Sequence, residues 1–158
     1  MSVVFQTYAE VKIHFKIPPT VFYPKPKVDS ALLGLHFLGP AKLRKRLAGV
    51  DPTKFRQVVT TCFRQRRKTV RNSLKKLEGV DLDKLDAPPL PLPESVKEAQ
   101  QAGDEFAKTQ ELPTNWSSKR PEELTPGQFI ELTRLLFGEK SVDADLGNKV
   151  WRKLKHGV

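Results

Sequence analysis

The stretch Pro52-Thr-Lys-Phe-Arg-Gln-Val-Val-Thr-Thr-Cys-Phe-Arg-Gln-Arg-Arg-Lys-Thr-Val-Arg-Asn-Ser-Leu-Lys-Lys-Leu77 holds no acidic residue and repeats its apolar positions with a helical period. Phe55, Val58, Val59, Cys62, Phe63, Val70, Leu74 and Leu77 share one broad stripe, while Arg64, Arg67, Lys68, Arg71 and Lys75 fall opposite. Asp51-Pro52 supplies a capping carboxylate followed by proline in the first turn, so a helix is predicted to start there. At about 1.5 Å per residue, Arg64 to Lys75 make a basic ridge on the order of 16 Å long, enough to follow several phosphates. Arg66 projects into the apolar stripe. Either it meets a buried acceptor, or the helix breaks near Lys68-Thr69 and its halves face differently.

Upstream, residues 1 to 9 read as the last turns of a helix, and Val11 to Ile17 alternate strictly. That places Val11, Ile13, Phe15 and Ile17 on one face of a half-buried strand, with Lys12, His14 and Lys16 outward. Pro18-Pro19 ends the strand, and Phe22-Tyr-Pro-Lys-Pro-Lys27 reads as a proline-stiffened loop. Val28 to Phe37 is so continuously apolar that burial on both faces is expected, as in a sheet flanked by helices. A basic connector containing Lys42, Arg44, Lys45 and Arg46 then leads to Asp51. Downstream, Gly79 ends the helical pattern, 87–93 is a proline-rich connector, and Glu94 to Gln110 reads as a loosely packed surface helix. Thr125-Pro-Gly-Gln128 is a capping-box start for a helix that Gly138 ends. The tail from Glu139 to Val158, with Trp151 among Lys149, Arg152, Lys153 and Lys155, is a short amphipathic helix or a disordered basic end.

With 158 residues the chain is long enough for one ordinary domain without a disulfide or metal staple. Cys62 has no second cysteine to pair with, and His14, His36 and His156 are too scattered for zinc. No Gly-x-Gly turn occurs, so a glycine-rich cofactor loop is excluded. Nor is any apolar run long enough for a membrane span. Up to Leu77 the chain has 17 Lys and Arg against 3 Asp and Glu, and beyond it 11 against 15, so +14 faces −4. A basic half of this kind suits a polyanion, nucleic acid ahead of an acidic membrane.

Three stretches point to a known family: Ser2-Val3-Val4 with Gln6, the Phe22-x-Pro-x-Pro-Lys-Val-Asp-Ser-Ala31 string, and Phe63-Arg-Gln-Arg-Arg-Lys-Thr-Val-Arg-Asn-Ser-Leu74. In these the chain resembles the ribosomal RNA adenine dimethyltransferases, with weaker agreement through Arg120, Leu124 and the helix from Thr125 to Phe137. The resemblance implies an α/β plus α fold. Residues 1–39 would be the last helix and two terminal strands of a Rossmann-like methyltransferase sheet, the final strand antiparallel. Residues 40–138 would be a small all-helical carboxyl-terminal domain that docks on rRNA, with a proline-rich insert at about 80–115, and 139–158 a basic tail.

The same resemblance implies methyl transfer from S-adenosylmethionine to adenines of small-subunit rRNA by a monomer. Phe22 would stack on the flipped target adenine, and Lys25, Lys27, Arg64, Arg67, Lys68, Arg71 and Lys75 would contact RNA. Arg66 and Asn72 are assigned structural roles. The family's cofactor glycines, ribose-binding acid and Asn-x-Pro-aromatic motif find no match, because Asn72, Asn115 and Asn148 are followed by other residues. The chain is therefore expected to be the carboxyl-terminal part of such an enzyme, inactive alone. A non-catalytic nucleic-acid-binding relative serving organelle transcription, or a ribosome-assembly factor, is the alternative. Bacterial-type motifs combined with an insert and a tail favour a mitochondrion or plastid over the cytoplasm.

Overall fold

The structure, a computed structural model, describes residues 2–65 and 67–138. Arg66 and the tail from Glu139 therefore lie outside the described residues. Helix α1 (Ser2–Tyr8) turns Val3 and Thr7 inward. The Thr7 hydroxyl donates to the Val3 carbonyl at 2.8 Å, which satisfies a polar group on a buried face. Strand β1 (Ala9–Ile17) then pairs antiparallel with β2 (Ser30–Phe37), from Ala9 opposite Phe37 to Ile17 opposite Ser30. The register shifts between Ile13 and Phe15, which face Leu33 and Leu32, so His14 is the extra residue of a bulge. Its imidazole covers Gly34, where any Cβ would collide with Nε2.

The burial expected of these strands does not occur. Val11, Ile13, Phe15, Leu32, Leu33 and Phe37 are 41–61% exposed, and Val28 is exposed ahead of β2. The reason is topological: the sheet has two strands, so a pattern suited to a layered sheet meets a single neighbour.

The core lies among helices α2 (Pro40–Leu47), α3 (Pro52–Arg64), α4 (Val70–Leu74), α5 (Glu94–Gln101), α6 (Glu105–Lys108) and α7 (Pro126–Phe137). Phe55, Val58, Val59 and Cys62 of α3 meet Val70 and Leu74 of α4 and Phe129, Ile130, Leu132 and Leu136 of α7, around a buried Trp116. Helix α1 packs on α2, α3 and α7, and Val3 and Leu38 join this same core. Asp51 caps α3 as expected, accepting from the Thr53 N–H at 2.8 Å. At α7 the expected box is reciprocal: Gln128 N–H donates to Thr125 Oγ1 at 3.2 Å, and Thr125 N–H to Gln128 Oε1 at 2.9 Å.

Three further expectations need correction. The basic connector after Gly39 is helix α2, started by Pro40 and anchored by buried Leu43 and Leu47. Glu94–Gln110 is two helices, because Gly103 takes a left-handed turn (φ 88°) and Asp104 caps a fresh start. Nor is Glu94–Gln110 loosely packed, since Val96, Ala107 and Gln110 are buried. The proline-rich connector is tied to α7 at Pro91 by Arg134, which donates from Nη2 to the Pro91 carbonyl and from Nε to Glu131, both at 2.8 Å.

Candidate nucleic-acid interface

The helical pattern over 52–77 is interrupted, which is the second of the two alternatives raised above. α3 stops at Arg64, Gln65 caps it by donating its N–H to the Cys62 carbonyl, and α4 restarts at Thr69. Two causes act together. A continuous helix would stack Arg64 on Arg67 and Lys68 at i+3 and i+4, a like-charge arrangement that costs a few tenths of a kcal/mol per pair. Thr69 offers an alternative, because its hydroxyl accepts the Asn72 N–H at 3.4 Å and caps a new helix. The restart keeps the apolar stripe intact: Val70 and Leu74 are fully buried, and the Val70 N–H donates to the Lys119 carbonyl at 2.8 Å.

The straight basic ridge therefore becomes a corner. Arg64 stands exposed at the end of α3, Arg67 and Lys68 are exposed in the turn, and Lys75 is exposed as the cap of α4. None of these four is in an ion pair among the described residues. Arg71 differs, because its Nη2 meets Asp86 at 2.7 Å, and that hydrogen bond raises its pKa. Asn72, assigned a structural role, exposes its side chain.

Arg56 was missed by the sequence reading. Arg56 is exposed on α3 two turns before Arg64, about 12 Å away along the axis, with exposed Thr60 between them. The 56/60/64 spacing was the available signal. Arg46 belongs to the fold instead. Its guanidinium donates to the Gln6 carbonyl at 3.1 Å and lies 4.4 Å from the Phe106 ring centre. Burial lowers its pKa, against the neighbouring charges of Asp104 and Glu10.

The second group of predicted residues sits on the loop between the strands. A 3-10 turn over Pro19–Val21 delivers Phe22 in extended conformation, its N–H donating to the Pro19 carbonyl at 3.3 Å. Phe22 is 41% exposed, so part of its ring is accessible. Tyr23, Lys25 and Lys27 are exposed beyond it. The structure brings Phe22, Lys25 and Lys27 together on this loop, and Arg64, Arg67, Lys68, Arg71 and Lys75 around the α3–α4 corner.

Burial pushes the Cys62 thiol up to about 12, so it stays protonated and inert. Among the described residues no cluster of His, Cys, Asp and Glu could hold a metal ion, and no helix is long and apolar enough to cross a membrane. What the arrangement can do is attract phosphates at an exposed basic corner and offer an aromatic ring to a base.

A family model described as "Ribosomal RNA adenine dimethylase" matches residues 1–112. A protein of Parabacteroides distasonis named "Ribosomal RNA small subunit methyltransferase A" is 35% identical over 148 residues, 94% of this chain and 43% of that protein. The protein of the same name from Saccharophagus degradans is 44% identical over 87 residues, 54% of this chain and 31% of its own length. A crystal structure of a dimethyladenosine transferase from Plasmodium falciparum aligns with 18% identity and a TM-score of 0.43, over 83% of this chain and 46% of that one. The chain thus spans less than half the length of each of these relatives.

Proposed function

Because the chain belongs to the ribosomal RNA adenine dimethylase family, we propose that it forms the RNA-gripping part of an enzyme that dimethylates adenines of small-subunit rRNA. The observation that carries this reading is the α3–α4 corner, where Arg64, Arg67 and Lys68 project from a turn whose two flanks are anchored in the core. Each cation set on a phosphate releases condensed counterions, so affinity should fall steeply with salt. The Phe22 ring would take the face of the target adenine, while Lys25 and Lys27 hold the adjoining phosphates.

S-adenosylmethionine would supply the methyl group in such an enzyme, but the residues of this chain do not fit as its holder. A cofactor cradle needs glycine backbone open to a nucleotide. Gly34 is covered by His14, and the open glycines Gly39, Gly49, Gly79, Gly103 and Gly138 stand singly in separate turns, with no Gly-x-Gly pair among them. The chain's own contribution is to bind and orient RNA.

The test is titration of the 158-residue chain with a small-subunit rRNA fragment across a salt series, alongside an assay for labelled methyl transfer. The expected result is steep salt dependence without transfer. Replacing Arg64, Arg67 and Lys68 by Glu should flatten the slope of log affinity against log salt by about 0.7–0.9 for each phosphate that the variant no longer neutralises. Binding that ignores both salt and charge reversal, or transfer by this chain alone, would refute the reading.

A further inference from the structure

We propose that Tyr23 is a second base-stacking ring, which takes the face of the nucleobase left behind when its neighbour is drawn out toward Phe22. The proposal rests on the RNA reading above and deepens it. Tyr23 is 102% exposed, so its ring makes no packing contact with the rest of the protein. Phe22, one residue earlier, is less than half as exposed. The backbone at Phe22 is extended (φ −107°, ψ 145°), and successive side chains of an extended chain point to opposite sides. The two rings therefore face different ways, Phe22 partly covered and Tyr23 wholly in solvent.

A bare aromatic ring on a surface loop needs a partner, and its surroundings select one. Lys25 and Lys27 are exposed two and four residues further on, which favours a polyanion over an apolar peptide. Pro18, Pro19, Pro24 and Pro26 fix four φ angles around the ring, so little freedom remains to be lost on stacking. Drawing one base out of a strand removes a stacking partner from the next base. A ring on the outward side of the loop that receives the first base can replace that partner. The ligand is thus single-stranded nucleic acid, with two adjacent bases held by two adjacent aromatic residues.

The test uses the 158-residue chain and a single-stranded oligoribonucleotide with 2-aminopurine beside an adenine, compared with a fully paired duplex of equal length. Stacking on Tyr23 should quench the 2-aminopurine on binding, and Tyr23→Phe should preserve this. Tyr23→Ala should abolish the quench and weaken single-strand binding by about 5- to 150-fold. Duplex binding and the melting temperature should not change, because the side chain contacts nothing that holds the fold. If Tyr23→Ala binds the single strand like the unaltered chain, or weakens duplex binding equally, the role of Tyr23 is overturned while the phosphate grip stands. If the unaltered chain binds neither RNA, the RNA reading falls and takes this proposal with it.

Discussion

Replacing Gly127 by Ala should destabilise the protein, although the same exchange within a helix ordinarily stabilises it by about 0.8–1.0 kcal/mol. Gly127 is the second residue of α7, and a Cβ there would lie 2.6 Å from Gln110 Cγ, 2.9 Å from its Cα and 3.0 Å from its backbone nitrogen. A flexible side chain could swing away from the first contact. The other two are backbone, so α7 and the 110 segment must separate. Forcing a methyl group into a packed site costs about 1–3 kcal/mol, and the propensity gain is small in a first turn already capped, leaving about 1–2 kcal/mol of net loss. Gln110 Nε2 also donates to the Arg46 carbonyl at 2.9 Å, and Arg46 in turn holds the Gln6 carbonyl, so the displacement reaches α1. In urea, with a slope of about 2 kcal/mol per molar, the midpoint should drop by about 0.5–1 M. Adding Gln110→Ala removes Cγ while leaving both backbone contacts, so Gly127→Ala should still destabilise in that background. An unchanged or raised midpoint in both backgrounds would refute the close approach.

Two further outcomes follow from the charges. Asp86→Asn keeps an acceptor for Arg71 but removes the opposing charge from a pair whose side chains are 41% and 62% exposed, so the melting temperature should barely move. RNA affinity should rise at low salt with a steeper salt slope, and equal or weaker binding would show that Arg71 lies outside the RNA footprint. The second concerns alkaline pH. Burial raises Cys62 and Tyr8 to about 12 from ordinary values of 9.0 and 10.0, so between about pH 9 and 12 the unfolded chain binds fewer protons than the folded one. Stability from these groups is complete below pH 9 and is lost as pH climbs toward 12; Cys62→Ala should flatten the measured decline, whatever its effect at neutral pH.

Legibility in the sequence followed the range of the interaction. Caps and helical stripes were readable, since Asp51 over Thr53, the Thr125–Gln128 box and the Phe55-to-Leu77 face depend on residues a few positions apart. Helix α2 carried the same local signal, with Pro40 at its start and Leu43 four residues before Leu47, but four cations in ten residues masked it. The burial of β1 and β2 was not readable because alternation says which side chains share a face, not whether a layer covers that face. The Asp86 partner of Arg71 is fifteen residues away, and the contact of Gly127 with Gln110 joins segments seventeen apart. Both arise from tertiary packing, which local periodicity does not encode.

The same distinction sorts the arginines, and with them the candidate site. Arg46 and Arg134 are engaged inside the protein, on the Gln6 and Pro91 carbonyls, and Arg71 is held by Asp86. Composition alone weighs these equally with Arg56, Arg64 and Arg67, yet the last three stand exposed. For Arg64, Arg67 and Arg71 the placement follows from the interruption between α3 and α4. Had α3 run on unbroken to Leu77, Arg64, Arg67, Lys68, Arg71 and Lys75 would have formed one line along one helix face. The Thr69 cap turns the chain instead, and Val70, tied to the Lys119 carbonyl and fully buried, fixes where α4 resumes. Three cations are thereby concentrated at a bend held on both sides by the core.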